Sequence, residues 1–154
     1  MVKRTIITYG TFDMFHIGHL NLLKRIKDMG SRLIVGVSTD EFNQLKGKKT
    51  LIPYEQRAAI VEAIKYVDLV IPESSWEQKI EDIKAHEIDL FVIGDDWSGK
   101  FDFLEEYCEV EYLSRTDGVS TTMLKQSLSA INKISKKDII SALDILDQLR
   151  KDLE

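Results

Sequence analysis

The chain has 154 residues, a formal net charge of -5 at pH 7 and one cysteine, Cys108. A chain of this length buries roughly 70% of its unfolded surface, so it can form a core without disulfides, and a single cysteine excludes an internal one. The acidic balance argues against non-specific binding of nucleic acid, which needs broad positive potential. No apolar run approaches the roughly 20 residues of a membrane span, and the start is too polar for a signal peptide. We therefore expect a cytoplasmic protein with no membrane insertion.

Short β-branched runs alternate with helical patterns along the chain. The runs lie at 5–9, 33–38, 69–71, 90–93 and 110–113. Several of them are nearly all apolar, which is typical of strands covered on both faces. Apolar spacing predicts helices at 20–29, 54–66, 76–85 and 122–131. The repeated order of strand, helix and strand predicts a parallel sheet with right-handed crossovers. We therefore predict an α/β fold, a Rossmann-like doubly wound five-stranded parallel sheet.

The C-terminal stretch predicts one more amphipathic helix, over 139–153. Leucine and isoleucine side chains recur on one face of it, and its charges balance without obvious chemistry. We predict a main domain over 1–130 and a C-terminal helical extension over 131–154. The extension is either an extra docked helix or a surface for a partner or a second copy.

Chemically unusual residues follow each predicted strand. In open α/β sheets ligands bind beyond the carboxyl ends of the strands, so these residues should converge on one edge. In chain order they are the pair His16 and His19, the lysine cluster 46–49, Trp76 with Lys79, Asp95 with Asp96, and the segment 115–122.

The two histidines stand at the start of the first predicted helix. Residues three apart lie on nearly the same helix face, and Gly18 between them lets an anion approach the backbone at the positive helix end. The spacing predicts an anion cradle with two imidazole donors. A zinc site would need a third ligand, which neither His86 nor Cys108 is placed to supply. Capping or core histidines without chemistry are the other alternative.

The remaining residues have alternatives of their own. The lysine cluster could be a solvated loop, and Trp76 could be a core aromatic. Asp95 and Asp96 could bind Mg²⁺, cap a helix, or accept a hydrogen bond from a ribose or from their own loop. Ser120 or Thr121 could cap a helix and, with Arg115, form a second phosphate site.

The string GTFDMFHIGH resembles the signature of the nucleotidylyltransferase superfamily. The match extends in order over about residues 4–128, through STDEFNQLKGKK, YEQRAAIVEAIKYVDLVIPE, WEQK, GDDWSGKFDFL and RTDGVSTT. Within the superfamily these strings resemble the cytidylyltransferases that act on glycerol 3-phosphate. The resemblance implies that CTP and sn-glycerol 3-phosphate give CDP-glycerol and pyrophosphate, for surface polymers such as teichoic acid or capsule. It also implies Mg²⁺ bound with CTP, and a homodimer.

The resemblance also implies roles for particular residues. Catalytic roles fall to His16, His19, Lys48 and Arg115. The CTP site would comprise Thr11, Phe12, Asp13, Gly18, Asp96, Thr116, Gly118, Ser120, Thr121 and Thr122. The acceptor site would comprise Lys46, Lys79, Arg57 and Trp76. No residue is expected to be a metal ligand.

Two positions depart from the family pattern. Ile17 stands where an aromatic residue is common, and Lys65 stands where arginine is common. Lysine cannot make the bidentate fork of arginine, so a role at position 65 is in doubt. Three alternative functions stay open: a cytidylyltransferase for ethanolamine or ribitol phosphate, an adenylyltransferase that uses ATP, and a non-catalytic nucleotide-binding regulator.

Overall fold

A computed structural model describes residues 3–115, 120–131 and 134–153. Its five strands are β1 (Thr5–Gly10), β2 (Arg32–Ser38), β3 (Leu69–Glu73), β4 (Leu90–Gly94) and β5 (Glu109–Leu113). All neighbouring strands pair in parallel, in the order β3-β2-β1-β4-β5. The predicted Rossmann-like five-stranded parallel sheet is confirmed. From β1 the chain adds β2 and β3 on one side and then β4 and β5 on the other, so the strand order reverses between β1 and β4. Open sheets of this kind bind ligands at the point of reversal.

The helices are α1 (Ile17–Lys27), α2 (Asp40–Leu45), α3 (Tyr54–Glu62), α4 (Gln78–Ala85), α5 (Thr121–Ile131) and α6 (Lys136–Asp152). Helix α2 was not predicted, because six residues are too few to establish a period. Two short 3-10 helices, Asp95–Trp97 and Asp102–Glu106, connect β4 to β5.

Helix α3 ends four residues earlier than its apolar spacing predicts. The amide of Ile64 bonds to Val61 and the amide of Val67 bonds to Ile64, so the chain continues in tight turns. Both Ile64 and Val67 still pack on the core. Turns of three residues satisfy the same apolar spacing as a helix, which is why the pattern overestimated the length.

The sheet separates two apolar clusters, one on each face. Ile6 of β1 packs with residues of α1 and α3, whereas the next residue, Ile7, packs with Ile83 of α4 on the other face. This alternation follows from the period of two in a strand. It explains why consecutive residues of β1, such as Ile6 and Ile7, are both apolar and both buried.

The chain divides into two compact units, Met1–Val119 and Ser120–Glu154. In the second unit, Ser120 Oγ accepts a hydrogen bond from the Met123 amide, as an N-cap of α5 does. Ser135 and Asp138 form a reciprocal capping box at the start of α6. Within the described ranges, no helix is long and apolar enough to cross a membrane.

Candidate active site

A sharp turn follows β1 and carries the chain towards the histidines. Phe12 and Met14 have φ angles of 52° and 51°, which are uncommon for residues other than glycine. A Cβ on Gly10 would lie 2.8 Å from Phe12 Cε2, so glycine is required for the Phe12 ring to fold back. The turn therefore contains backbone strain at the edge of the sheet where a ligand is expected.

His16 and His19 together cap the start of α1. His16 Nδ1 accepts a hydrogen bond from the Gly18 amide at 3.0 Å, and His19 Nδ1 accepts from the His16 amide at 3.3 Å. The two rings stack with their centroids 3.9 Å apart. Because each Nδ1 is an acceptor, the proton of each neutral ring lies on Nε2. Capping and anion binding are thus compatible roles of one pair.

Both imidazoles are held in the neutral form. Burial lowers the pKa of His16. The pKa of His19 is lowered to about 4, mainly by burial and then by His16, against a smaller opposing effect of Asp13. The burial of His19 comes from Phe12, which lies edge-on at 5.4 Å, and from Phe15 at 5.3 Å. At neutral pH the pair offers two Nε2–H donors without a full positive charge.

Asp13 lies in the strained turn and is 2% exposed. Its two carboxylate oxygens accept hydrogen bonds from the amides of Leu51 and Ile52, at 2.9 and 3.0 Å. These bonds fasten the loop that carries Lys48 to the end of β1. A CTP contact by Asp13 stays a prediction; what the structure adds is a role in holding the lysine loop.

Arg57 was expected in the acceptor site, and the structure places its side chain in the interior, 1% exposed. Its Nε donates to the Ile52 carbonyl, and its Nη1 donates to the carbonyls of Thr11 and Ser38, each at 2.8 Å. Its Nη2 donates to Asp40 at 2.7 Å. Arg57 therefore joins the carboxyl ends of β1 and β2 and the loop before α3.

Thr11 stands directly after β1. Its hydroxyl donates to Asn43 Oδ1 at 3.3 Å, and the Asn43 amide nitrogen Nδ2 is buried with no partner among the residues the structure describes. Lys48 follows Asn43 by five residues and is exposed. Its backbone amide donates to the Asn43 carbonyl at 2.8 Å. Helix α2 thus brings Asn43 between the end of β1 and the lysine loop.

Lys46 and Lys79 meet at one carboxylate, that of Glu73 at the end of β3. Lys79 Nζ lies 2.7 Å from Glu73 Oε2, and Lys46 Nζ lies 3.7 Å from Glu73 Oε1. Lys79 is 1% exposed, so Lys46 is the outer of the two cations. Sequence reasoning missed Glu73; its only signal is a carboxylate that closes an apolar strand.

Trp76 covers this lysine pair and is 41% exposed. Its ring lies 5.2 Å from that of Phe42 and 5.6 Å from that of Trp97. Trp76 is therefore a partly exposed residue that contacts other aromatic rings, and not a core residue.

Asp96 and Arg115 form an exposed ion pair, with Oδ2 and Nη2 2.8 Å apart. Arg25 of α1 donates to the Ser114 carbonyl at 2.7 Å, which fastens the end of β5 to α1. Thr116 and Gly118 lie outside the described residues. Ser120, Thr121 and Thr122 belong to the second compact unit.

The residue types define a class of site. Neutral imidazole donors, lysines and an arginine stand at the carboxyl edge of a Rossmann-like sheet, which suits the binding of phosphate groups. The family model described as cytidylyltransferase-like matches residues 7–139. The chain therefore belongs to the cytidylyltransferase-like family, a family of nucleotidyltransferases.

Closely similar proteins narrow this class. The chain is 61% identical over 128 residues to a glycerol-3-phosphate cytidylyltransferase of Bacillus spizizenii, covering 83% of this chain and 99% of that protein. It is 56% identical over 125 residues to the Staphylococcus aureus protein of that name, covering 81% and 95%. An ethanolamine-phosphate cytidylyltransferase of Mus musculus is 36% identical over 130 residues, which cover 80% of this chain and 32% of that protein.

Among solved structures, a lipopolysaccharide core biosynthesis protein from Thermoplasma volcanium superposes with a TM-score of 0.63. The identity is 23%, and the match covers 74% of this chain and 98% of that one. At this identity the likeness concerns the fold alone.

Proposed function

We propose that this protein transfers the cytidylyl group of CTP to sn-glycerol 3-phosphate and releases pyrophosphate. The observation that carries the proposal is the identity of 56–61% over nearly the full length of relatives that bear this name. The stacked histidine pair and the two lysines at Glu73 supply cationic and donor groups that such a transfer requires.

The reaction requires groups that stabilise negative charge on the phosphates, and it does not require a general base. The phosphate monoester has a second pKa of about 6 and is largely dianionic at neutral pH. One of its oxygens forms a bond to the α-phosphorus of CTP, and the bond from that phosphorus to the bridging oxygen breaks. The electron pair leaves on pyrophosphate, so the step balances without an added proton. Positioning and preorganised donors therefore carry most of the catalysis.

The histidines suit the transferring phosphate. Their Nε2–H donors and the positive end of α1 act on negative charge that develops during transfer. Neutral rings lose no proton to the substrate, so the donors stay in place through the reaction. We assign Lys48 and Arg115 to the remaining phosphates of CTP, with Arg115 exchanging its Asp96 partner for phosphate.

Mg²⁺ is proposed to arrive with CTP. Across 3–115, 120–131 and 134–153, no group of three histidine, cysteine, aspartate or glutamate residues could hold a metal ion. Mg²⁺ commonly keeps several waters and binds through substrate phosphates, which fits this residue set. The ion would neutralise phosphate charge when bound.

A panel of phosphoalcohols tests the proposal. Pyrophosphate release with CTP is expected to be fastest with glycerol 3-phosphate, compared at equal concentration with ethanolamine phosphate and ribitol phosphate. The similarity to the mouse protein makes ethanolamine phosphate the second candidate. Faster release with another phosphoalcohol, or with ATP, would replace the proposed substrates. Nucleotide binding without release would indicate a regulator.

Lys46→Ala tests the acceptor site. The variant is expected to raise KM for glycerol 3-phosphate by about tenfold or more with little change in KM for CTP, because one phosphate cation is lost. Lys24→Ala, which removes an exposed lysine at the far end of α1, is the control. An unchanged KM would remove Lys46 from the acceptor site.

We also propose that the product serves a glycerol-phosphate surface polymer such as teichoic acid, and that the enzyme is a cytoplasmic homodimer. Light scattering on the purified chain tests the dimer, and a monomer at micromolar concentration would contradict it.

A further inference from the structure

Glu73 is the centre of a small buried network at the carboxyl edge of the sheet. It closes β3 beside Ser38 of β2, its register partner, and is 4% exposed. The Ser38 hydroxyl donates to Glu73 Oε1 at 2.5 Å, and Lys79 donates to Oε2 at 2.7 Å. Lys46 donates to the Ser38 hydroxyl at 3.0 Å. One carboxylate therefore orients two lysines, one directly and one through a serine.

Aromatic rings enclose the two ammonium groups. Lys79 Nζ lies 4.5 Å from the centre of the Tyr9 ring and 5.0 Å from that of Trp76. Lys46 Nζ lies 4.4 Å from Phe42 and 5.7 Å from Trp76. Ring faces favour cations, but they exclude the water that would otherwise solvate them. Two ammonium groups with one carboxylate leave one positive charge uncompensated, as a site for an anion requires.

This charge balance depends on Glu73. Two buried cations side by side repel each other, and burial favours the neutral amine. The pKa of Lys46 is lowered to about 8, chiefly by burial and also by Lys48 and Lys79, while Glu73 opposes the shift. The Tyr9 hydroxyl, the other titratable group at Lys79, donates to Asp82 at 2.6 Å and remains protonated.

We propose that Glu73 is a positioning residue that holds Lys46 and Lys79 in place, and Lys46 in its charged form, for the phosphate of the acceptor substrate. The proposal rests on the proposed function and assigns to that site a residue outside the histidine, lysine and arginine set. Glu73 does not touch the acceptor. It acts through Lys46, the outer cation, and through Lys79 behind it.

Glu73→Gln tests the proposal, since it keeps the size of the side chain and removes its charge. Since the pKa of Lys46 is about 8, wild-type Lys46 is mostly charged at about pH 7.5. Without the carboxylate it is expected to be mostly neutral at that pH and to regain its proton as the pH falls. KM for glycerol 3-phosphate should rise by about fivefold or more at about pH 7.5, with KM for CTP within about twofold. The ratio of variant to wild-type KM should shrink several-fold at about pH 6.5. Taking the ratio cancels the titration of the substrate phosphate.

Two further variants separate the effect of the Glu73 charge from the loss of a hydrogen bond and from the loss of a carboxylate elsewhere. Ser38→Ala keeps all three charges and removes the hydroxyl bridge, so it should raise the same KM by a few-fold at both pH values. If Glu73→Gln does not fold, Ser38→Ala alone tests the network, and an unchanged KM for the acceptor in Ser38→Ala would then overturn the proposal. Glu109→Gln is the matched control, because Glu109 pairs with Arg4 at the opposite edge of the sheet and should leave both KM values unchanged.

Equal increases in both KM values, a ratio independent of pH, or an unchanged KM for the acceptor would each overturn the role of Glu73. Wild-type turnover with glycerol 3-phosphate tests the proposed function separately. If the wild type prefers another phosphoalcohol of the panel, the same ratio is measured with that substrate. If it uses none, the affinity of wild type and variant for inorganic phosphate, measured by NMR titration, makes the same comparison.

Discussion

The Nδ1 atoms of His16 and His19 both accept backbone hydrogen bonds, and the two rings stack 3.9 Å apart at the start of α1. This arrangement sets the tautomer of both rings before any substrate arrives. Because each ring caps the helix through Nδ1, the proton of each neutral ring lies on the other nitrogen, Nε2.

The first prediction concerns these donors. His16→Ala or His19→Ala should lower kcat by about 10²–10³ and change KM for CTP far less, because the donors act mainly on charge that develops in transfer. Steady-state pyrophosphate release measures both constants. His86→Ala is the control, because His86 is the C-cap residue of α4 and does not belong to the histidine pair of α1.

A second pair of substitutions separates the two ring nitrogens. His19→Gln places an amide donor near Nε2, whereas His19→Asn keeps only a group near Nδ1. We expect the glutamine variant to retain more turnover than the asparagine variant, with similar thermal stability. The reverse order would contradict the assignment of Nε2 as the donor.

The third prediction concerns pH. The pKa of His19 is about 4 in the folded chain and near 6.5 when unfolded, so the unfolded state binds more protons between these values. Stability contributed by neutral His19 is therefore present above about pH 6.5 and is lost as the pH falls towards 4. NMR titration should give both histidines pKa values below 6.5, with His19 the lower. A His19 pKa above 6.5 would refute the neutral-donor interpretation.

The fourth prediction concerns Arg57. Arg57→Lys should lower the free energy of unfolding by about 2–4 kcal/mol, because lysine cannot reach three carbonyls and Asp40 together, and buried carbonyls lose their donors. Urea denaturation measures this loss. Lys65→Arg, which keeps the charge at an exposed site, is the control and should leave stability within about 0.5 kcal/mol.

The fifth prediction concerns the C-terminal helix α6. The alignments with the relatives at 56–61% identity cover 95–99% of those proteins but 81–83% of this chain. This chain therefore has residues that these relatives lack, and we expect α6 to be among them. A chain that ends after residue 133 should keep kcat and both KM values within about twofold. Light scattering on the same truncated chain then tests whether α6 contributes to assembly. A large loss of turnover would show that α6 supports the site.

The sequence alone determined the strands, the sheet class and the histidine pair. Short apolar runs predict strands, and apolar residues at helical spacing predict helices. Both patterns are formed by residues close together in the chain. The signature around His16 and His19 is likewise contiguous. The same locality explains the overlong α3, where tight turns and a helix share one apolar spacing.

Only the tertiary structure decided the rest. Most hydrogen-bond partners of Asp13, Arg57 and Glu73 lie 17 to 46 residues away in the chain, as for Arg57 with Thr11 and Glu73 with Ser38. The sequence placed Lys46 and Lys79 at one edge but did not show that a single buried carboxylate holds both. Burial and charge balance depend on what the folded chain brings together, and no local pattern encodes them.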